Sequence, residues 1–137
     1  MKNLNGKVIA LTGAGSGIGR CLAIQLSQHG SHLSLSDVDA AGLKETKELL
    51  SQDIVVSSHI VDVANREQVY AWAENTIKDH GHVDCIINNA GVASTASIEE
   101  IRYEDFNWVF NIVFYGVLYG TKAFFAAPKT TLRCTHS

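Results

Sequence analysis

The chain has 137 residues, of which 46% are hydrophobic and 18% are charged, and its formal net charge is −3. This length allows one domain at most, and the composition is that of an ordinary globular protein. Because the net charge is slightly negative, the sequence lacks the basic surface that binds nucleic acid or an anionic membrane, and we expect neither as a partner.

The cysteines and the N-terminal residues indicate in which cellular compartment the protein resides. Cys21, Cys85 and Cys134 show no C-x-x-C spacing. Cys21 and Cys85 fall on apolar positions of predicted elements, so we expect both to be buried, reduced thiols, as in a reducing compartment. The first residues lead directly into the first predicted strand without a secretory signal. The sequence therefore predicts a cytoplasmic protein.

The first predicted strand and helix enclose a glycine-rich turn. The apolar run Val8–Leu11 is followed by T-G-A-G-S-G-I-G at residues 12–19, and residues 20–26 have a helical pattern. Glycines let a phosphate approach the backbone, and the free N–H groups at a helix start attract it. The spacing is not the strict G-x-G-x-x-G, and Arg20 stands where a Walker loop would need G-K-[ST]. The pattern predicts a dinucleotide pyrophosphate site, and a glycine turn without a ligand is the alternative.

An acidic residue follows the second predicted strand, S-H-L-S-L-S. Asp37 lies 18 positions after Gly19, close to the spacing of about 20 seen in dinucleotide-binding folds. A carboxylate there accepts hydrogen bonds from both ribose hydroxyls and repels a 2′-phosphate. Val38 comes next, rather than an arginine that could hold that phosphate. We therefore expect NAD to be preferred over NADP. The alternative role for Asp37, starting the next helix, suits Asp39 better.

Strand and helix patterns alternate along the chain. The predicted strands lie at about residues 7–12, 32–36, 54–60 and 83–88, and the predicted helices at about 17–29, 40–51, 66–79 and 105–126. This alternation is typical of a parallel sheet with right-handed crossovers. The last helix is nearly apolar over about 20 residues, the length of a membrane span. Polar residues and glycines interrupt it, so a buried helix is the preferred interpretation.

Three motifs in chain order resemble those of the short-chain dehydrogenase/reductase family, and the resemblance covers residues 1–127. They are T-G-x-x-x-G-x-G at Thr12–Gly19, an Asp-Val pair at Asp62–Val63 and N-N-A-G at Asn88–Gly91. The resemblance implies an α/β fold, a Rossmann-like doubly wound parallel sheet, truncated after four strands in the order 3-2-1-4 and the long fourth helix. It implies an oxidoreductase that transfers a hydride between a nicotinamide and an alcohol or carbonyl.

The resemblance also implies roles for individual residues. Ser16–Ile18 contact the pyrophosphate, Asp62 binds the adenine amino group, and Val63 lies against the adenine. Residues 89–91 pass beside the adenosine ribose, whereas Asn88 ties the strand end to its neighbour. The expected cofactor-binding residues are Gly13, Ser16, Gly17, Ile18, Gly19, Asp37, Asp62, Val63, Asn89, Ala90 and Gly91.

The catalytic residues of the family are not found. Its tyrosine precedes a lysine by four positions on one helical face, and a serine polarises the substrate carbonyl. The residues four positions after Tyr70, Tyr103, Tyr115 and Tyr119 are Glu74, Asn107, Tyr119 and Ala123. Tyr119 and Lys122 lie upstream of the position that the family's pair takes, so we assign no catalytic residue. The six histidines lack zinc-site spacing, so no metal site is predicted.

A fourth catalytic residue of the family is an asparagine in the pattern N-x-x-G on the long helix. Gly116 matches the glycine, which places the expected asparagine at Val113. Asn111 lies two residues earlier, about 200° around a helix, and should point away from the site. A local shift of two residues would bring Asn111 to the site instead.

Two functions are left open by these patterns. In the first, residues 1–127 are the NAD(P)-binding domain of an oxidoreductase and residues 128–137 are an unassigned tail. In the second, the chain is a catalytically inactive, truncated family member that acts as a nucleotide-binding module or partner subunit. The family's long helix packs on its copy in a partner, and the apolar strand Val83–Asn88 would be an open edge. We therefore expect a homo-oligomer, or self-association through the 105–126 helix and that edge.

Overall fold

A computed structural model describes residues 4–90, 102–125 and 134–136 of the chain. The strands are β1 (Val8–Thr12), β2 (His32–Asp37), β3 (Val56–Ile60), β4 (Cys85–Ile87) and β5 (Cys134–His136). The helices are α1 (Gly17–Gln28), α2 (Ala40–Glu48), α3 (Arg66–His80), α4 (Tyr103–Phe110) and α5 (Gly116–Phe125). A π-helical turn (Asn111–Tyr115) joins α4 to α5.

The five strands form one parallel sheet in the order β3-β2-β1-β4-β5. The predicted α/β fold and the strand order 3-2-1-4 are confirmed. The order reverses between β1 and β4, because the chain first adds strands on one side of β1 and then returns to its other side. In open α/β sheets such a switch point, at the carboxyl ends of the strands, is where a ligand crevice forms.

The expectation that the sheet ends at β4 with an open edge is wrong. Strand β5, from the tail that the sequence left unassigned, pairs in parallel with β4 and places Cys134 opposite Cys85. The tail has no apolar period that would indicate a strand. It pairs because β4 presents a row of backbone N–H and C=O groups, which any extended segment can satisfy. Self-association through this strand edge is therefore no longer expected.

Along β1 the side chains alternate between two cores. Ile9 and Leu11 pack with apolar residues of α1 and α2 on one face of the sheet. Val8 and Ala10 pack with residues of α3 and α5 on the other face. This follows from the two-residue period of a strand, and it explains why a strand covered on both faces is a continuous apolar run. Because both faces of β1 are covered, a site at this strand can lie only at its ends.

The long predicted helix consists of α4, the π-helical turn and α5. Gly116, Gly120 and Phe124 are buried at intervals of four residues. Gly116 lies against Val63, and Gly120 lies against Asn88. The prediction of a buried helix holds for this stripe alone, because many of the large apolar side chains are exposed: Trp108, Phe110, Val113, Phe114, Tyr115, Leu118 and Phe125. Among the described helices, none combines the length and apolarity needed to cross a membrane.

The two cysteine predictions need correction. Cys21 is exposed and free, because the buried face of α1 carries Gly19 and Ala23, on the opposite side of the helix. Cys85 is buried, as expected, but it is disulfide-bonded rather than reduced. The cysteines therefore give no support for a reducing compartment, and the cytoplasmic location stays a prediction from the sequence.

Candidate functional site

A cleft of about 410 Å³ lies at the carboxyl ends of β1, β2 and β4. It adjoins the switch point of the sheet. It is lined by Gly13, Ser16, Ile18, Asp37, Val38, Val61, Asp62, Val63, Asn89, Ala90 and Ile112. The structure therefore brings together in one cleft residues from three separate sequence motifs, although Gly17 and Gly19 of the predicted set do not line it. Gly91, which belongs to the predicted set, lies outside the described residues.

The glycine-rich turn is built on close contacts that exclude side chains. A Cβ atom on Gly13 would lie 2.9 Å from the Cα of Ala90, and one on Gly19 would collide with the carbonyl oxygen of Gly13. Gly13 and Gly17 both have a left-handed φ, +68° and +56°, but a Cβ on Gly17 would meet open space. Gly13 and Gly19 are thus needed for packing. Gly17 is needed for its left-handed conformation, and the space above it is free for a ligand.

The N-terminus of α1 opens into the cleft, and among the described residues no side chain caps it. Its N-cap residue, Ser16, makes no side-chain capping hydrogen bond, and the first turn of the helix carries no acidic residue. The first N–H groups of a helix have no partner within it, and the helix dipole adds a partial positive charge. The site therefore offers donors and positive potential to an anion such as a phosphate.

Asp37 is held at the end of β2 by two backbone groups. Its Oδ2 accepts the N–H of Gly15 at 2.8 Å, and its Oδ1 accepts the N–H of Asp39 at 3.1 Å. Asp39, not Asp37, caps α2 by accepting the N–H of Gly42 at 3.0 Å, as predicted. Asp37 is thus left as a fixed carboxylate facing the cleft, and Val38 beside it is 66% exposed.

Asp62 is fixed between β3 and α3. Its Oδ1 accepts the N–H of Ala64 at 2.9 Å, and its own N–H donates to Oε1 of Gln68 at 2.8 Å. Gln68 is in turn held by Asn65, the N-cap of α3, whose side chain accepts the Gln68 N–H at 3.1 Å. The carboxylate stays exposed at the rim of the cleft, and the buried Val63 forms part of its floor.

The segment after β4 is tied to the glycine turn. Asn89 Nδ2 donates to the carbonyl of Gly13 at 3.3 Å, and the N–H of Ala90 donates to Oγ1 of Thr12 at 2.9 Å. Asn88 bonds differently from the prediction, because its Nδ2 donates to Oγ1 of Thr121 on α5 rather than to a neighbouring strand. These bonds fix the side of the cleft opposite β2.

The π-helical turn contributes a residue that the sequence analysis missed. Ile112 lines the cleft, whereas neither Asn111 nor Val113 does. The extra residue in a π turn alters which side chains face the sheet, and nothing in a helical sequence pattern signals it. The two-residue shift that would bring Asn111 to the site is not seen. Tyr119 packs against the second core and Lys122 is exposed, so this pair does not reach the cleft either.

Several histidines lie away from the cleft, between β3 and the end of α3. The pKa of His80 is lowered from 6.5, first by burial and further by nearby histidines, although Asp79 opposes the shift. Burial likewise lowers the pKa of His59, whose Nε2 is 3.4 Å from Oδ2 of Asp79. Within the ranges that the structure describes, no three potential ligands among His, Cys, Asp and Glu cluster in a way that could hold a metal.

Comparison with known proteins identifies relatives over most of the chain. A family model described as "short chain dehydrogenase" matches residues 7–130. The oxidoreductase SadH of Mycobacterium tuberculosis is 42% identical over 125 residues, which are 90% of this chain and 45% of that protein. The chain thus spans less than half the length of this relative.

Two solved structures show how far the fold agrees. A short-chain dehydrogenase/reductase from Burkholderia phymatum in complex with NAD is 36% identical, with a TM-score of 0.88 over 93% of this chain and 46% of that one. An alcohol dehydrogenase from Thermococcus sibiricus complexed with 5-hydroxy-NADP is 30% identical, with a TM-score of 0.83 over 88% of this chain and 52% of that one.

Proposed function

The chain belongs to the short-chain dehydrogenase family of oxidoreductases, and from this we propose that residues 1–127 form a domain that binds NAD in preference to NADP. The observation that carries the proposal is the cleft that joins the uncapped N-terminus of α1 to two fixed carboxylates, Asp37 and Asp62. A dinucleotide has complementary chemistry, with two negative phosphates between polar ribose and adenine groups.

The glycine turn and the start of α1 suit the pyrophosphate. Ser16 makes no cap bond, so the helix donors are free for phosphate oxygens, and the open space above Gly17 lets those oxygens approach the backbone. Ile18 is 73% exposed at the mouth of the cleft. An exposed apolar side chain at that place is suited to cover a bound ligand.

Asp37 supports the choice of NAD. Each of its carboxylate oxygens accepts one backbone N–H, and each retains further lone pairs for the two hydroxyls of the adenosine ribose. A 2′-phosphate would bring a second negative group against this carboxylate. The structural neighbours do not decide the matter, because one was solved with NAD and the other with an NADP derivative.

Asp62 and Val63 suit the adenine. Asp62 stands at the cleft rim as an acceptor for an amino group, and Val63, with the buried Val61, gives the flat base an apolar surface. The residues Asn89 and Ala90 then lie beside the ribose, with Gly91 as the next residue along the chain. The eleven predicted positions therefore form the proposed site as a whole.

Turnover is not proposed for the 137-residue chain by itself. A bound nicotinamide supplies hydride chemistry between an alcohol and a carbonyl, but the chain's own residues must bind the substrate and move a proton. The pairing of tyrosine and lysine four residues apart does not occur in the sequence. We propose that the exposed helix face of this chain, α4 to α5, packs against a second copy.

Isothermal titration calorimetry of the folded 137-residue chain tests the proposal. NAD and NADP are titrated separately, and adenosine diphosphate serves as a probe that lacks the nicotinamide half. We expect NAD to bind more tightly than NADP, and adenosine diphosphate to retain part of the affinity because the residues assigned here contact that half. Tighter binding of NADP would overturn the assignment of Asp37, and no binding of any of the three would overturn the site.

A further inference from the structure

We propose that Arg20, acting with Thr46, is a positioning residue that sets the preference between NAD and NADP by fixing the peptide that holds Asp37. The inference rests on the proposed function and deepens it. Arg20 does not line the cleft, and its sequence position just after the glycine turn gave no sign of such a role. A chain of hydrogen bonds leads from Arg20 through Thr46 and the Ala14–Gly15 peptide to the Asp37 carboxylate.

The Arg20 side chain joins the glycine turn to α2. Its Nη2 donates to the carbonyl oxygen of Gly15 at 2.6 Å and to that of Gly42 at 3.2 Å. The same nitrogen lies 3.2 Å from Oε2 of Glu45, and Nε donates to Oγ1 of Thr46 at 2.9 Å. The Arg20 side chain is only 26% exposed. An arginine with four acceptors on two elements is held in one orientation, because its donors form a rigid planar fork.

Thr46 connects the Arg20 guanidinium to the glycine turn. Its side chain is fully buried, and its hydroxyl donates to the carbonyl oxygen of Ala14 at 2.8 Å. A hydroxyl has one proton, so accepting the Nε–H of Arg20 directs that proton toward Ala14. Hydrogen bonds in such a chain strengthen one another. Arg20 therefore determines how firmly the Ala14 carbonyl is held.

The Ala14 carbonyl and the Gly15 N–H belong to one planar peptide unit and point in opposite directions. Thr46 holds the carbonyl end, and the N–H end donates to Oδ2 of Asp37 at 2.8 Å. The fit is tight, because a Cβ atom on Gly15 would lie 2.8 Å from that same oxygen. Rotation of this peptide would therefore break one of the two backbone hydrogen bonds that hold the carboxylate and leave only the bond from the Asp39 N–H. Recognition of the ribose hydroxyls, and repulsion of a 2′-phosphate, depend on where the carboxylate is held.

A purely structural role for Arg20 predicts something different. If Arg20 only linked α1 to α2, its removal would lower the thermal unfolding midpoint. The ratio of the dissociation constants for NAD and NADP would stay unchanged at temperatures where the chain is folded. The positioning role predicts a change in the ratio itself. It also predicts a local change at the Gly15 amide in the absence of any ligand.

The test compares Arg20→Met, Arg20→Lys and Thr46→Val with a matched control, Lys44→Met. This control removes an exposed cation from α2, the helix that carries Thr46. Calorimetric titrations with NAD and NADP are made well below the unfolding midpoint of each variant. We expect Arg20→Met and Thr46→Val each to reduce the preference for NAD about fivefold, the effect of weakening one hydrogen bond to a charged group. Arg20→Lys should recover part of it, and Lys44→Met should match the wild type.

Amide hydrogen exchange of the free protein provides the second measurement. In Arg20→Met and Thr46→Val the Gly15 amide should exchange at least about tenfold faster relative to the amides of β1, reflecting local opening. A wild-type ratio of dissociation constants, or a Gly15 amide that accelerates only as much as β1, would overturn the positioning role. If Arg20→Met does not fold, Thr46→Val decides on its own. If the wild type binds neither dinucleotide, the proposed function fails, and the role of Arg20 in cofactor recognition fails with it. Selectively faster exchange at Gly15 in the variants would still show that Arg20 and Thr46 hold this peptide in place.

Discussion

The Oδ2 atom of Asp37 accepts the backbone N–H of Gly15 over 2.8 Å, so the end of β2 and the glycine turn after β1 are one unit. Two sequence features that lie 22 residues apart thus share a hydrogen bond. This pairing gives the carboxylate a fixed direction, and the prediction about cofactor choice depends on it.

Removing that carboxylate should remove the discrimination between cofactors. Asp37→Ala eliminates the acceptors for the ribose hydroxyls and the repulsion of a 2′-phosphate. We expect the affinity for NAD to fall about tenfold, since hydrogen bonds to charged groups contribute about 1.5–3 kcal/mol, and the preference over NADP to disappear. Calorimetric titration measures both. Asp53→Ala, in an exposed turn, is the control, and a preference for NAD that survives in Asp37→Ala would show that another residue sets it.

A methyl group at Gly19 should destabilise the chain. The added Cβ would collide with the carbonyl oxygen of Gly13, which is backbone and cannot move aside without displacing the turn. We expect Gly19→Ala to lower the free energy of unfolding by about 1–3 kcal/mol, the usual effect of overpacking, and to weaken NAD binding. Chemical denaturation measures the loss. Cys21→Ala, on the exposed face of the same helix, should leave stability close to that of the wild type.

The parts of the fold that could be predicted from the sequence are those set by local pattern. The alternation of strands and helices, the motifs at the strand ends and the cap at Asp39 all depend on residues close together in the chain. Strand β5 could not be predicted, because it forms by pairing with β4 and not by its own pattern. The exposure of Cys21 depends on which face of α1 the sheet covers, and a short apolar helix does not reveal that face.

The site, like the fold, has residues that a local motif predicts and residues that only contacts between distant segments bring in. Its motif residues were predicted, but Ile112 enters through a π-helical turn that no periodicity marks. Arg20 and Thr46 were missed because their bonds join elements 26 residues apart. Side chains that act through another residue leave no motif in a single sequence, and only their hydrogen bonds reveal them.

Acid should weaken the fold below neutral pH. The pKa of His80 is lowered from 6.5, chiefly by burial, with His32, His82 and His59 adding to the shift and Asp79 opposing it. In the unfolded chain this histidine therefore binds a proton more readily than in the folded chain. The stability that neutral His80 contributes is fully present above pH 6.5 and is lost as the pH falls through the folded pKa. Denaturation midpoints between pH 7.5 and 5 measure this. His80→Gln should reduce the pH dependence, whereas His29→Gln, an exposed control, should leave it unchanged.

The exposed face of α4 and α5 should mediate self-association. Trp108 is 53% exposed and Phe114 is 52% exposed, and adjoining aromatic side chains enlarge the apolar surface. A surface of this kind is buried in assemblies and is unfavourable in contact with water. Light scattering coupled to size-exclusion chromatography should show a dimer or larger species for the wild type and a smaller one for the double variant Trp108→Glu/Phe114→Glu. A wild type that is monomeric at high concentration would contradict this prediction.

The 137-residue chain should bind NAD without oxidising secondary alcohols. A tyrosine without a neighbouring lysine is a poor proton carrier at neutral pH, and no tyrosine of the chain has a lysine four residues later. Absorbance of the reduced nicotinamide during incubation with a panel of alcohols measures turnover. Tyr119→Phe is the informative variant, because activity that it abolishes would show that Tyr119 and Lys122 do act as a pair.

The central claim is that the cleft at the end of β1, β2 and β4 is the NAD site, and amide chemical-shift mapping with NAD tests it most directly. On addition of NAD to the isotopically labelled chain, we expect the largest shifts at Gly13 to Gly19, with further shifts at Val38, Val63 and Ala90. The amides around His80, at the C-terminal end of α3, should stay unchanged. Saturable shifts confined to residues outside the cleft, or no shifts at millimolar NAD, would contradict it.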